Sequence, residues 1–331
     1  MTRLGQDFDA ARKLCAAFAV SALALSCGRS EKAAPGAGPG PAAAGTPAAS
    51  APAAEAGPII RDTPEPNHPP FFGLRAARGA AVDSRGRIWV ADFEHAAVRI
   101  FDAAGGYLGG WGSRGDGVYQ LKDPCGIAAR GDDVYVADTW NGRVLHFSLQ
   151  GRSLGKAPGD FYGPRGVAVG GDGRVWIADT GNDRIVVCDK DLSNPKLFGG
   201  KAGSGPEELA SPVGIAVGPS GRVYVADSGN RRIQVLDADG KFRTRLAFKG
   251  WGPNTEPYLE VDDQENIYAS DPAGQAVVEL DSGGHERKRW TQDDAGRKFA
   301  KPTGLALDQK ARTLYVVNTD TDTIATLKLA K

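Results

Sequence analysis

The stretch VYVADSGNRRIQVLDADG, residues 223–240, has near-copies along most of the chain, and this recurrence limits what the chain can fold into. Val223, Val225, Ile233 and Val235 alternate with other residues at the period of half-buried strands. Ser228 to Arg231 lie between them as a turn whose residues tolerate positive φ. A lone hairpin cannot bury its apolar face, so the copies must pack against one another. They begin as IWVAD at 88, VYVAD at 134, VWIAD at 175, IYASD at 267 and LYVVN at 314. A landmark acid ends each first strand: Asp92, Asp138, Asp179, Asp227 and Asp271, with Asn318 in the sixth copy. The separations are 46, 41, 48, 44 and 47 residues.

Six units of about 45 residues, opened by a Gly-apolar-Ala-apolar strand in all but the fifth, predict an all-β, six-bladed β-propeller. The opening strands are GAAVD (79), GIAAR (126), GVAVG (166), GIAVG (214), LEVD (259) and GLALD (304). Their small residues allow close approach of the next blade. Stretches such as KFRTRLAF, 241–248, supply a fourth, outer strand. The pattern P-x-G-I-A-V … G-R-V-Y-V-A-D-S-G-N-x-R-I over 212–233, nearly repeated over 164–185, closely resembles the NHL repeat. The resemblance spans roughly 77–331. It is strong in repeats two to four and partial in one, five and six. The recurring Gly-His and Trp-Asp signatures of WD40 blades are absent. The last copy supplies only three strands, so GPIIRD, 57–62, is expected to close the ring as the outer strand of the last blade.

Upstream, Arg3, Arg12 and Lys13 precede the 13-residue apolar run 14–26, which is too short to span a bilayer but suits a secretory signal. It ends at ALSCG, which resembles a bacterial lipoprotein signal with Cys27 as the lipidated residue, although Ala24 stands where that pattern prefers Leu. Residues 33–58 hold 12 Ala, 6 Pro and 5 Gly, too few large side chains to offset the entropy of ordering. The expected organisation is a signal peptide over 1–26, a lipid-anchored disordered linker over 27–56 and a propeller over 57–331. Gly28 after the Cys favours delivery to the outer membrane over inner-membrane retention, by resemblance to the lipoprotein sorting rule. Lys plus Arg and Asp plus Glu both number 40. This neutrality and the export signal argue against a nucleic-acid partner.

The five aligned acids, with Asn318 in the sixth copy, read as turn anchors, since an active site needs one copy. Asn141, Asn182 and Asn230 read as turn residues, and Arg143, Arg184 and Arg232 as loop locks. With strands a to d running outward, the b–c and d–a loops share one face and the a–b and c–d turns the other. Peptide-amidating lyases, which the resemblance reaches, hold zinc with converging histidines, and the four His here are scattered. The paired catalytic His of streptogramin-type lyases cannot be assembled either. The positions before the inner-strand Gly are Arg78, Cys125, Arg165, Val213 and Thr303, with Pro257 in repeat five, and not the carboxylates of gluconolactonase-type propellers. Cys125 and Cys188 lie in different repeats and are expected to be unbridged buried residues.

The reading that results is a non-catalytic, extracytoplasmic binding or scaffold propeller tethered to a bacterial membrane, without cofactor or metal. The alternative is an extracytoplasmic propeller enzyme of the lactonase or peptide-amidating-lyase type. A protein, peptide or glycan ligand is expected on the b–c/d–a face, at Trp140, Tyr162, Arg165, Arg231 and Trp251, because aromatic and Arg side chains dominate binding hot spots. Tyr258 and Glu260 replace the small residues of the fifth inner strand and are expected at a channel wall or a ligand. Asp-Ala-Asp-Gly (237–240) and its like on the other face present only small polar residues.

Overall fold

The computed structural model describes residues 57–251 and 255–330. Cys27 and the expected signal peptide and linker lie outside the described residues. Each repeat folds into an antiparallel meander whose strands follow chain order from the axis outward. Blade one comprises Ala80–Val82, Ile88–Asp92, Ala97–Phe101 and Tyr107–Trp111. Blade two follows as Ile127–Arg130, Asp133–Asp138, Arg143–Ser148 and Ser153–Lys156, and blade three as Pro164–Val169, Val175–Asp179, Arg184–Cys188 and Lys196–Gly199. Blade four contains Pro212–Val217, Val223–Asp227, Arg232–Leu236 and Phe242–Ala247, the last being the outer strand read from 241–248. Blade five has Leu259–Val261, Ile267–Asp271, Ala276–Leu280 and Glu286–Trp290, and blade six has Pro302–Asp308, Thr313–Asn318 and Thr323–Lys328. The a strands of successive blades contact one another around a complete ring, six to one included.

The apolar cores lie between blades. Trp89 and Trp111 of blade one pack with Phe147 and Leu149 of blade two, and Tyr224 and Ile233 of blade four pack with Leu259 and Val278 of blade five. The inner-strand glycines let the ring tighten. A Cβ at Gly126 would lie 1.9 Å from the Arg165 carbonyl oxygen, and one at Gly166 would lie 2.1 Å from that of Val213. At the seam, a Cβ at Gly304 would lie 2.2 Å from the Arg78 oxygen. Each glycine is thus required because the next blade's backbone occupies its side-chain space.

Closure differs from expectation. Ile59–Ile60 adds a fifth strand to blade one, with Ile59 opposite Gly110 and Ile60 opposite Gly109. It does not join blade six. The reason is local: a Cβ at Gly109 would stand 1.8 Å from the Ile59 oxygen, so this side-chain-free edge admits a neighbour. Among the described residues blade six has three strands. Its edge is met by the loop after blade five, where Asp294 N–H donates to Thr326 O and the Asp294 carboxylate accepts from Lys328 N–H at 2.7 Å. The seam is held by packing of Phe71, Leu74 and Ala77 with Tyr315, Val317 and Ile324. Thr319 Oγ1 adds a bond to Ala77 O at 2.9 Å.

Candidate functional site

The repeated acids anchor loops, as expected. Asp227 is fully buried; Oδ1 accepts from Ala210 N–H at 2.7 Å, and Oδ2 accepts from Asn230 Nδ2 and Arg232 Nε. Arg232 continues to the carbonyls of Ser204, Gly205 and Glu208 in the d–a loop. Asp138 and Asp179 repeat this clamp with Asn141 and Arg143, and with Asn182 and Arg184. These bonds put the b–c and d–a loops on one face.

The turn after the acid is a 3₁₀ turn followed by a left-handed residue: Gly142 (φ 58°), Asp183 (φ 50°) and Arg231 (φ 53°). The positive φ therefore falls on the variable residue of G-N-x-R. The preceding glycine answers a different demand, because a Cβ at Gly181 would lie 2.3 Å from the Tyr162 ring. Trp140 occupies the matching position in blade two. It keeps the backbone bond to the d–a loop, Trp140 N–H to Lys122 O at 3.0 Å, and its indole is 42% exposed. Trp140 and Tyr162, itself 51% exposed, line one depression of about 310 Å³.

The other expected contacts separate. Arg231 is exposed on blade four and lies outside that depression. It holds a left-handed conformation that costs an L-residue about 1 kcal/mol or more, and its guanidinium has no hydrogen bond or ion pair among the described residues. Trp251 is a correction. It is 1% exposed, packs tilted against Phe248 with ring centroids 4.4 Å apart and donates Nε1–H to Ser270 O at 2.9 Å, so its ring fills the gap between blades four and five and is withdrawn from the surface. Trp111 and Phe161 are buried as well.

Arg165 and Tyr258 meet at the axial mouth of the same face. Glu256 bridges Arg78 of blade one, at 3.1 Å, and Arg165 of blade three, at 3.2 Å. Arg78 lies over Phe93 at 4.8 Å. Cys125 is buried beside this cluster. Desolvation, reinforced by Glu256, pushes its thiol up to about 11, which leaves it a poor nucleophile. Burial likewise raises the Tyr258 phenol well above its ordinary value. The sequence reading missed Glu256, which sits three residues before the degenerate fifth inner strand. Cys188 is buried, and both described cysteines are free. Among the described residues no group of three or more His, Cys, Asp or Glu could hold a metal ion. His146 is buried against Asp133, and His95 and His285 pair locally with Asp92 and Asp281.

Below the mouth runs an axial channel of about 240 Å³, walled by all six inner strands. Glu260 lines it, half-buried, and burial pushes its carboxyl up to about 8. On the opposite face the channel meets a vestibule of about 660 Å³ between the turns at Ser84 and Lys310. That face therefore holds a concavity which the small polar turn residues had not suggested.

The NHL repeat model matches residues 74–101, 161–188 and 209–236, which are parts of blades one, three and four. Blade two, with its Trp-bearing turn, falls outside the match although its turn keeps the clamp. No curated protein matches the sequence. Among solved structures, a gluconolactonase from Xanthomonas campestris superposes with a TM-score of 0.60 at 15% identity, over 83% of this chain and 98% of that one. A virginiamycin B lyase from Staphylococcus aureus gives 0.52 at 12% identity, over 80% and 88%. Regucalcin from Agrobacterium tumefaciens, a calcium-binding protein, gives 0.55 at 17% identity, over 80% and 85%. At these identities the likeness concerns the fold. The chain is a six-bladed β-propeller that carries NHL repeats.

Proposed function

We propose that this protein is a non-catalytic binding propeller, tethered to a bacterial membrane outside the cytoplasm, that captures a protein, peptide or glycan on its b–c/d–a face. The observation that carries this reading is the exposed pair Trp140 and Tyr162 around one depression, with Trp140 at a turn position where blades three and four use glycine. Such rings bury much area at little entropic cost, as binding anchors do. Arg231, strained and without a side-chain partner among the described residues, supports a second contact on the same face. The short apolar run ending at Cys27 supports lipidation and delivery to the outer membrane. The test is affinity capture from an envelope extract with quantitative mass spectrometry. A species retained by wild type and lost from Trp140→Ala/Tyr162→Ala, with the melting temperature unchanged, supports the proposal; equal retention refutes it.

A second reading, an extracytoplasmic enzyme of the lactonase or peptide-amidating-lyase type, draws on the Arg78–Glu256–Arg165 cluster. Two guanidiniums at an axial mouth can stabilise a developing oxyanion. Lactone hydrolysis by wild type that disappears in Arg165→Met would favour this reading.

A further inference from the structure

At the second position after the recurring inner-strand glycine, five blades carry alanine, at 81, 128, 168, 216 and 306, whereas blade five, with Tyr258 in the glycine's place, carries Glu260. The exception puts one carboxylate into a channel walled mainly by Ala, Val, Ile and Leu. No hydrogen bond or ion pair to its side chain exists among the described residues. Each inner strand pairs only with the next strand outward, so its other backbone edge faces the axis. The channel therefore offers backbone carbonyl acceptors, alternating with N–H donors, beside a lone anion. An ammonium group, with three donors and no acceptor, matches that chemistry. A divalent cation does not, since calcium takes six to eight oxygen ligands, several of them commonly carboxylates.

The same cavity holds a second uncompensated charge. Arg130, at the end of blade two's inner strand, is exposed and makes no ion pair among the described residues. It lines both the channel and the vestibule, so it stands where the two join. Arg85 and Lys310 lie on the same vestibule and Asp308 partly offsets them, while Asp83 is engaged by Arg87 and Trp89. A simple cation would pass a positive rim to reach Glu260. A molecule with an ammonium at one end and a carboxylate at the other answers both charges. Arg130 lies four residues past its blade's inner glycine and Glu260 two past the matching position, so strand rise sets them about 7 Å apart along the channel, besides the distance across it. The two ligand charges must then be separated by a chain longer than that of an α-amino acid.

We propose that the axial channel binds a linear ω-amino acid, its ammonium on Glu260 and its carboxylate on Arg130, admitted from the a–b/c–d face. The alkyl chain lies along Ile127, Val167 and Ile215. This site is separate from the aromatic face, so Trp140→Ala/Tyr162→Ala leaves it intact. The test is calorimetric titration of the full chain with 6-aminohexanoate in amine-free borate buffer at about pH 8.5, where ligand and Glu260 are both charged. The expected result is saturable one-to-one binding that weakens at least tenfold in Glu260→Gln and in Arg130→Gln, with n-butylammonium and hexanoate each binding more weakly than the joined molecule. Arg130 is at the surface, so its variant keeps the test valid should Glu260→Gln fold poorly. Absence of saturable binding by wild type overturns the proposal. Equal affinity in either folded variant does so too, as does calcium binding that depends on Glu260 while 6-aminohexanoate stays silent.

Discussion

Glu260→Gln should stabilise the propeller, and only above the pH at which an ordinary glutamate ionises. The carboxyl rises from 4.5 to about 8 because the channel wall withholds water from its charged form. Between these values the folded protein keeps a proton that the unfolded chain has released. The unfolded state binds fewer protons there, so stability falls as pH climbs through this window and levels off above about 8. A shift of 8 − 4.5 = 3.5 units, at about 1.36 kcal/mol each, sets a ceiling of about 5 kcal/mol. Water admitted by the channel reduces this to about 1–3 kcal/mol, or about 2–6 °C for a domain of this size. Glutamine keeps the shape and removes the titration. Paired thermal melts at pH 5, 7 and 9 should give coincident midpoints at pH 5 and a gap in favour of the variant that widens with pH. Parallel curves for the two proteins would refute desolvation of Glu260.

Asp227→Ala leaves Arg232 buried without its carboxylate and frees the Ala210 and Asn230 donors, so denaturant unfolding should register a loss of about 3–5 kcal/mol. Gly109→Val places a side chain where the Ile59 carbonyl lies; it should release residues 57–62, seen as faster amide exchange at Arg61, whose N–H now donates to Leu108 O. Cys27→Ser should leave an unprocessed precursor or a soluble product in cell fractionation, and a cleaved, membrane-bound product would exclude lipid anchoring.

The blade count and the strand boundaries were legible because every repeat restates them, and the Asp-Asn-Arg clamp was legible because three blades spell it identically. What failed was what a single blade holds. Residues 57–62 were assigned to blade six by counting strands, whereas the paired glycines 109 and 110 prepare an edge on blade one. Trp251 looked exposed within a Gly- and Pro-rich loop, yet its indole completes the core between blades four and five. Glu256 carries no repeat signature. It meets Arg78 and Arg165 only after the ring brings blades one, three and five to one axis, a contact that no local pattern encodes. The channel carboxylate was visible as a break in the alanine series, whereas its lack of a partner required the folded ring.

The central claim is that the b–c/d–a face captures the partner. It is tested most directly by a photo-crosslinking residue placed at position 162 on that face or at position 239 in the opposite Asp-Ala-Asp-Gly turn, expressed in the native envelope. The account predicts a discrete crosslinked species from position 162 that disappears when Trp140 is changed to Ala, and none from position 239. A species formed at 239 and absent at 162 would contradict it.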